Sequence, residues 1–314
     1  MENTMRIMFM GTPEIAATCL DRLASDGHEV VAVVTGEDKP RGRGKIMTPT
    51  AVKAMASELG IPVYTPKTLR DDAFMEILRE TSPELIAVVA YGKILPPAVL
   101  DFPKYGCINA HVSLLPKYRG AAPMQRAIMN GEKKTGVTIM YMDVGLDTGD
   151  IITAEEFPIG AEDDFETVHD TSAEIGARLL SETAYSIERG EAIRTPQDES
   201  LACYAEKIEK SDCKLDFTKS ARELDFNIRG VTPIPGAFAY HNGKMLKICK
   251  ALPIDAKGEA GKVIAADASG DGYFTVACGE GALKVLAVIP EGKGRMSAGD
   301  LLRGRKLAVG DMLE

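Results

Sequence analysis

Short apolar runs alternate with amphipathic stretches through the first 150 residues, and this alternation constrains the fold more than any other feature of the chain. The runs typical of strands are MRIMFM (5–10), EVVAVVT (29–35), PVY (62–64), ELIAVVA (84–90), GCINAHV (106–112) and GVTIMYM (136–142). Helical spacing lies between them, at residues 13–25, 50–59, 71–80 and 122–130. Strands that alternate with helices indicate βα units. We therefore expect a doubly wound α/β domain with a parallel sheet, whose ligands bind beyond the carboxyl ends of the strands.

The length and a later change of pattern indicate a second domain. A chain of 314 residues exceeds the ~250 to 300 residues at which single cores tend to split. A strand at 151–159 and one long helix at 163–189 precede a polar, aperiodic stretch. From residue 209, one helix and several short strands with Gly-rich turns predict a small OB-like β-barrel. We expect an α/β domain at 1–190, a linker at 191–208 and a barrel domain at 209–314.

Several protein classes lack their usual signals here. No apolar run has the length of a membrane span, and the first residues lack the basic flank and apolar core of a signal peptide. Six cysteines are scattered without a C-x-x-C pair, and four histidines are never in H-x-x-x-H spacing. These patterns predict a cytoplasmic protein with free thiols, no bound metal and no membrane partner.

Nucleotide-binding loops are also missing from the sequence. Gly11 follows the first strand alone, where a dinucleotide-binding loop would have G-x-G-x-x-G. The glycines and lysines of residues 39–45 (KPRGRGK) are not followed by the Ser or Thr of a P-loop. A nicotinamide or flavin oxidoreductase and a P-loop nucleotidase are therefore disfavoured.

Two polar side chains share one face of the strand at 106–112. The two-residue period of a strand places Asn109 and His111 together, with Ile108 and Ala110 on the opposite face. An amide donor beside an imidazole suits acyl transfer, in which a base takes a proton and the amide stabilises an oxyanion. The simpler interpretation is a pair of polar residues that close a strand.

The loop MDVGLDTGDI (142–151) follows the next strand and adds carboxylates. We expect it at the same edge of the sheet as His111, where Asp147 could orient the imidazole or stabilise its protonated form. For Asp143 and Asp150 we favour ordinary turn chemistry.

Two further segments could bind ligands. Residues 113–116, directly after the strand of His111, could form a ledge of backbone amide and carbonyl groups for a planar ligand, or only an exit turn imposed by Pro116. The loop at 36–48 has four positive charges within KPRGRGK, although the net charge of the chain is −9. It could meet a polyanion such as RNA, or be a solvated surface loop.

Three segments together resemble the folate-dependent formyltransferase family. They are NAHVSLLPKYRG (109–120), GLDTGD (145–150) and VVAYGKILP (88–96). Within that family the resemblance is greatest to members whose formyl acceptor is methionyl-tRNA. It extends to DKPRGRGKIMTPTAVK (38–53), which looks like their inserted tRNA-contacting loop, QDESLACYAEKI (197–208), like their interdomain segment, and RGVTPIPGAF (229–238), like the entry to their OB domain.

The resemblance implies a fold, a reaction and a set of site residues. The fold is a Rossmann-like catalytic domain at 1–190 with a basic insertion at 36–48, followed by an OB-like tRNA-binding domain. The reaction is transfer of the formyl group of 10-formyltetrahydrofolate to methionyl-initiator tRNA for translation initiation, by a cytoplasmic monomer without a metal. The implied catalytic residues are Asn109, His111 and Asp147. The implied folate contacts are Ser113, Leu114, Leu115 and Pro116, and the implied tRNA contacts are Lys39, Arg41, Arg43 and Lys45.

The residues alone leave other acceptors open. A formyl-folate hydrolase or a sugar-amine formyltransferase would use the same core on a different acceptor. A catalytically silent RNA-binding protein is disfavoured because Asn109, His111 and Asp147 are all present. The acceptor separates these alternatives.

Overall fold

The computed structural model describes residues 4–41, 44 and 46–314. Its contacts divide the chain into two compact units: Met1–Gly120, Thr135–Phe157 and His169–Tyr204 form the first, and Ala121–Lys134, Pro158–Val168 and Ala205–Glu314 form the second. No helix within the described part of the chain is long and apolar enough to cross a membrane.

The elements up to residue 188, where the long helix ends, follow the predicted alternation. In chain order they are β1 (Arg6–Gly11), α1 (Glu14–Ser25), β2 (Glu29–Val34), β3 (Lys39–Arg41), β4 (Ile46–Thr48), α2 (Ala51–Glu58), β5 (Val63–Tyr64), α3 (Asp72–Thr81), β6 (Leu85–Val89), α4 (Pro97–Leu100), β7 (Cys107–His111), β8 (Arg119–Gly120), α5 (Pro123–Met129), β9 (Lys134–Tyr141), β10 (Ile151–Pro158) and α6 (Phe165–Glu188). The predicted strands and helices are therefore confirmed in order and in type.

The remaining elements are mostly strands. They are β11 (Tyr204–Ala205), α7 (Ala221–Val231), β12 (Ala237–His241), β13 (Lys244–Ile254), β14 (Val263–Asp267), β15 (Tyr273–Ala277), β16 (Ala282–Pro290), β17 (Met296–Ser297) and α8 (Ala298–Arg303), with short 3-10 turns at Glu199–Leu201 and Lys210–Cys213.

A seven-stranded sheet in the order β10-β9-β7-β6-β1-β2-β5 is the core of the first unit. Five neighbouring strands of this sheet pair in parallel, as predicted, in the order β7, β6, β1, β2 and β5. The expectation that the strand at 136–142 continues the parallel sheet is wrong, because β9 runs antiparallel to β7. A parallel connection needs a crossover that packs on the sheet, usually a helix. The helix between these strands, α5, packs instead on α7.

Apolar clusters cover both faces of this sheet. Ile108 and Ala110 belong to a cluster with residues of α1 and α6, whereas Cys107 belongs to a second cluster with residues of α3. The alternation along β7 is the one that the two-residue period predicts. The face that Cys107 shares with Asn109 and His111 is thereby fixed.

The second unit contains an antiparallel sheet in the order β12-β13-β16-β15-β14. The last residues of the chain bridge its two edges. On one side the Val263 amide donates to the Asp311 carbonyl at 2.8 Å, and on the other Tyr240 and Glu314 exchange backbone hydrogen bonds of 2.7 and 2.9 Å. Backbone hydrogen bonds of the C-terminal residues therefore reach both edge strands, β14 and β12.

Candidate active site

His111 is the last residue of β7, and its ring lies in a buried position. The side chain is 6% exposed, and its Nε2 is 3.0 Å from the backbone carbonyl oxygen of Tyr118. A carbonyl can only accept a hydrogen bond, so Nε2 is the protonated nitrogen in this arrangement. In a neutral imidazole the lone pair is then on Nδ1.

Asp147 faces that second nitrogen. Its Oδ2 lies 3.7 Å from Nδ1 of His111 and accepts a hydrogen bond of 2.8 Å from the Gly120 amide. The distance of 3.7 Å exceeds that of a direct hydrogen bond. The carboxylate is nevertheless placed to stabilise an imidazolium once Nδ1 takes a proton.

The route by which Asp147 reaches His111 differs from the predicted one. Because β9 is antiparallel to β7, its last residue, Tyr141, lies opposite Ile108, while His111 lies opposite Thr138. The loop after β9 therefore starts beside the amino-terminal part of β7, and the expected shared carboxyl edge was the wrong reason for the contact. Asp147 takes a left-handed backbone conformation, with φ of 56°, which Asp tolerates better than most residues.

Asn109 lies two residues before His111 on the same face of the strand. It is half-buried, and β7 sets it between Val88 and Met140 of the neighbouring strands. Within the described residues, its side-chain amide has no hydrogen-bond partner. The amide is therefore available to donate to a bound ligand.

The segment after β7 is held by the side chains of Ser113 and of Thr138, and the sequence analysis did not identify Thr138. Thr138 Oγ1 donates to the Ser113 carbonyl at 2.7 Å and accepts from the Leu115 amide at 3.2 Å. The buried Ser113 hydroxyl donates to the Lys117 carbonyl at 2.7 Å. A Thr in the middle of an apolar strand was the only available signal for this role.

Leu114 and Pro116 complete the predicted ledge and are half-buried. Leu114 packs against Gly136 of β9, where an added Cβ would lie 2.4 Å from the Leu114 Cδ2 and 2.2 Å from the Glu155 carbonyl oxygen. Only glycine leaves room for this approach. The ledge is thus packed on β9 as well as hydrogen-bonded to it.

The aspartates on either side of Asp147 have contacts of two different kinds. Asp143 Oδ1 accepts from the Gly145 amide at 2.9 Å and from the Thr148 hydroxyl at 2.6 Å. Asp150 Oδ2 accepts from Arg194 Nε at 3.1 Å. Among the described residues, neither carboxylate has a hydrogen bond or ion pair with His111. The contacts of Asp143 are those of a turn residue, whereas Asp150 pairs with a residue distant in the chain.

The basic insertion is described only in part. Strands β3 and β4 pair as an antiparallel hairpin, with Lys39 opposite Thr48, and Lys39 is exposed. Arg41 ends β3, whereas Arg43 and Lys45 lie outside the described residues. A tRNA contact by these four residues stays a prediction.

No metal centre occurs in the described ranges of the chain, where no group of three or more His, Cys, Asp or Glu side chains converges. The polar groups at the end of β7 instead combine a potential base, a carboxylate beside it and an unengaged amide. Such a set can move a proton and stabilise a developing oxyanion.

Known proteins resemble the chain along nearly its whole length. The family model described as "Formyl transferase" matches residues 5–184, and "Formyl transferase, C-terminal domain" matches residues 207–306. A methionyl-tRNA formyltransferase of Citrifermentans bemidjiense is 46% identical over 309 residues, which are 98% of this chain and 96% of that protein. The corresponding enzyme of Pelotomaculum thermopropionicum is 47% identical over 309 residues, covering 98% of each chain.

Solved structures share the fold at lower identity. An N-formyltransferase of Helicobacter canadensis, in complex with folinic acid and dTDP-3-aminofucose, superposes with a TM-score of 0.68 at 20% identity, covering 90% of this chain and 99% of that one. Glycinamide ribonucleotide transformylase 1 of Symbiobacterium toebii gives a TM-score of 0.53 at 20% identity, covering 63% of this chain and 96% of that one.

Proposed function

This chain belongs to the formyl transferase family, and on that premise we propose that it transfers the formyl group of 10-formyltetrahydrofolate to the α-amino group of methionyl-initiator tRNA. The observation that carries the proposal is the approach of the Asp147 carboxylate to within 3.7 Å of Nδ1 of His111. Asn109 lies on the same strand face with an unengaged amide. The identity of 46% to a named methionyl-tRNA formyltransferase over 98% of the chain supports this acceptor.

The reaction exchanges one bond of the formyl carbon for another. The α-amino nitrogen of the methionyl group forms a bond to the formyl carbon, and the bond between that carbon and N10 of the folate breaks. The amine loses one proton and N10 gains one. The protein therefore has to move a proton and to stabilise negative charge on the formyl oxygen.

His111 is the proton acceptor in this account. Its Nε2–H is engaged with the Tyr118 carbonyl at 3.0 Å, which leaves Nδ1 to take the proton of the attacking amine. The Asp147 carboxylate then faces the positively charged ring and stabilises it. Because the Gly120 amide fixes Oδ2 at 2.8 Å, little reorganisation is needed when the charge appears.

Asn109 is the donor to the formyl oxygen. Its amide lies on the same face as His111, so one bound formyl group can meet both side chains. A donor already oriented toward developing negative charge stabilises the transition state more than the ground state.

The donor site is assigned to the ledge of Ser113, Leu114, Leu115 and Pro116. Thr138 forms hydrogen bonds with two backbone groups of this segment. The side of the segment that faces away from Thr138 is therefore held rigidly for a planar ring system. Exposed apolar side chains follow the neighbouring strands: Ile94 is 77% exposed, Val144 77% and Leu146 57%. A pterin ring could cover such side chains, because its burial removes apolar surface from water.

Contacts with the acceptor tRNA are assigned to the basic insertion at 36–48 and, separately, to the second unit. Lys39, Arg41, Arg43 and Lys45 supply positive charge for RNA phosphates. We also assign a tRNA-binding role to the second unit, which contains most of the residues 207–306 that match the C-terminal domain model. We place the enzyme in the cytoplasm as a monomer.

A sugar-amine formyltransferase is the second candidate, because a solved structure with the same fold is an N-formyltransferase in complex with dTDP-3-aminofucose. An assay with alternative acceptors distinguishes the two. The full chain is incubated with 10-formyltetrahydrofolate and with charged initiator tRNA, a nucleotide-linked amino sugar, or no acceptor, and formyl transfer is followed. We expect transfer to the tRNA alone. Transfer to the sugar, or release of formate without an acceptor, would assign a different activity.

A further inference from the structure

Arg119 is a fully buried cation behind the loop that carries Asp147. Its side chain is 0% exposed, and its guanidinium donates to both Glu199 carboxylate oxygens, at 2.9 and 2.7 Å. This ion pair raises the pKa of Arg119 further above its ordinary value. The same guanidinium donates to Gln197 Oε1 from Nε at 3.1 Å and from Nη2 at 2.8 Å. Arg119 therefore fixes the position and the orientation of the Gln197 amide.

The Gln197 amide nitrogen faces away from Arg119, toward the loop at 142–150 that carries Asp147 (the Asp147 loop). It donates to the Asp147 carbonyl at 2.9 Å and to the Gly149 carbonyl at 2.8 Å, and lies 3.9 Å from Met140 Sδ. With the carbonyl oxygen taken by a guanidinium, the NH₂ group can face only the loop. A flipped amide would place its NH₂ group against the guanidinium, so the contacts define one orientation.

The segment that contains Gln197 is itself attached on both sides. Thr195 exchanges backbone hydrogen bonds of 2.8 and 2.9 Å with Ile151, the residue at which β10 begins. Further along, the Cys203 carbonyl accepts from the Arg119 amide at 2.9 Å. The chain on either side of Gln197 is thus held by backbone hydrogen bonds, in addition to the contact of its side chain with Arg119.

The Asp147 loop needs such support because no strand ladder places it. Asp147 has a left-handed backbone, with φ of 56°. Within the described part of the chain, its carboxylate accepts one hydrogen bond, from the Gly120 amide, and its carbonyl accepts the one from Gln197. Arg119 is therefore linked to Asp147 by two routes. Its neighbour Gly120 donates to the carboxylate, and its partner Gln197 donates to the backbone carbonyl.

We infer that Gln197 is a positioning residue for formyl transfer, which holds the carbonyl groups of Asp147 and Gly149 so that the Asp147 carboxylate stays beside Nδ1 of His111. This inference rests on the proposed function. Gln197 touches no reacting atom, and it acts through Asp147. Its removal therefore lowers the rate of the transfer step and leaves the binding of both substrates unchanged.

A double-mutant cycle on the full chain tests this role. Gln197→Glu keeps an acceptor for Arg119 but removes both donors to the loop, and Gln197→Met removes them without adding charge. Each should lower kcat about 10- to 100-fold, the scale expected when a catalytic group is misplaced by about 1 Å. The KM for each substrate should stay within about twofold, because ground-state contacts are retained.

The Asp147→Asn background shows whether the effect passes through Asp147. In that background Gln197→Glu or Gln197→Met should lower kcat by less than about threefold, since two changes on one path are not additive. Ser200→Ala is the matched control: it removes a hydrogen bond to Asp198 in the same segment and should leave kcat unchanged. Thermal unfolding of each variant reports whether it folds, and the uncharged Gln197→Met variant serves if the charged one does not.

Two results overturn the inference. One is an unchanged kcat in folded Gln197→Met. The other is a fall in kcat by the same factor in the wild-type and the Asp147→Asn backgrounds, which would mean that Gln197 acts independently of Asp147. Failure of the proposed function has a different signature, because the wild-type chain itself would then transfer no formyl group to initiator tRNA.

Discussion

His111 and Asn109 lie on one face of β7, and together they supply a potential base and an amide donor. Both side chains follow from the alternation along β7, with Ile108 and Ala110 packed in the opposite cluster. The structure adds the direction of the ring, because the Tyr118 carbonyl takes Nε2. Nδ1 is left as the nitrogen that exchanges a proton in the proposed reaction.

Asn109→Ala tests the oxyanion donor directly. Loss of one such donor costs roughly 2.7 to 4 kcal/mol in the barrier, or about two to three orders of magnitude in turnover. We expect that fall in kcat with little change in stability, because the Asn109 amide has no partner in the described residues. Steady-state kinetics and thermal unfolding measure the two quantities. A near-wild-type kcat would remove Asn109 from the mechanism.

His28 provides a residue-scale prediction on stability and pH, outside the site. The ring is buried against Tyr185, and its Nε2 lies 3.0 Å from the Ser181 hydroxyl. Burial lowers the pKa of His28 from 6.5, although the Asp26 and Glu188 carboxylates oppose that shift. Between the lower folded pKa and the unfolded value, only the unfolded chain binds the proton.

The free energy of unfolding should therefore include a contribution from His28 that is fully present above about pH 6.5 and is lost as the pH falls below it. Urea unfolding of wild type and His28→Gln at pH 8 and pH 5.5 measures it. The loss between the two pH values should be smaller in the variant. Equal losses in the two proteins would contradict the assignment.

Residue identity alone could not reveal the whole site. The place of its loop after the next strand and the resemblance of GLDTGD to the family both predict Asp147, yet the expected geometric reason for its position is wrong. Gln197 was not predicted, because its contacts lie 48 and 50 residues away in the chain and no local pattern encodes them. These contacts depend on the pairing of Thr195 with Ile151, which brings the segment of Gln197 beside the start of β10.

At the scale of elements, the direction of β9 was the part of the fold that the sequence did not determine. Its apolar pattern predicts a strand equally well in either direction. The direction depends on where α5 packs, and α5 contacts α7 rather than completing a crossover on the sheet. The strands from β1 to β7 were predictable because each crossover between them carries its own apolar face.

The C-terminal segment completes the second unit, and its removal should destabilise that unit. Deletion of residues 311–314 removes the backbone bonds to Tyr240, Gly261 and Val263 and the buried Leu313 side chain, which is 2% exposed. Each net hydrogen bond contributes about 1 kcal/mol and a buried Leu about 1.5 to 3 kcal/mol. We expect a loss of about 3 kcal/mol or more in urea unfolding.

Met312→Ala is the control for that deletion, since Met312 is 39% exposed and its substitution leaves the backbone bonds in place. Its effect should stay within about 0.5 kcal/mol, as for surface changes in general. A deletion that unfolds at the same urea concentration as wild type would show that the segment does not close the sheet in solution.

The positive charges of the basic insertion at 36–48 predict how tRNA binding depends on salt. If Arg41, Arg43 and Lys45 neutralise phosphates, their joint replacement by Ala should weaken tRNA binding and reduce the slope of log affinity against log salt by up to about three. Filter binding over a range of salt concentrations gives both quantities. Lys104→Ala, an exposed cation elsewhere, should change neither. A salt-independent affinity in the wild type would count against a phosphate contact.

At the scale of the whole molecule, the chain combines a formyl transfer unit with a second unit that matches the C-terminal domain model. The two models match residues 5–184 and 207–306. The compact units have other bounds, because Ala121–Lys134 and Pro158–Val168 belong to the second unit, and the division at 191–208 stays a prediction. The acceptor was not accessible from the pattern of elements, because the same fold occurs in an N-formyltransferase in complex with a sugar nucleotide.

The most direct test of the central claim is single-turnover formation of formylmethionyl-tRNA from 10-formyltetrahydrofolate and charged initiator tRNA, measured for wild type and for His111→Ala. The account predicts rapid product formation by the wild type. It also predicts a fall of at least about 100-fold for the variant, the lower end of the contribution of a general base. No formylmethionyl-tRNA with the wild type, or the same rate with the variant, would contradict it.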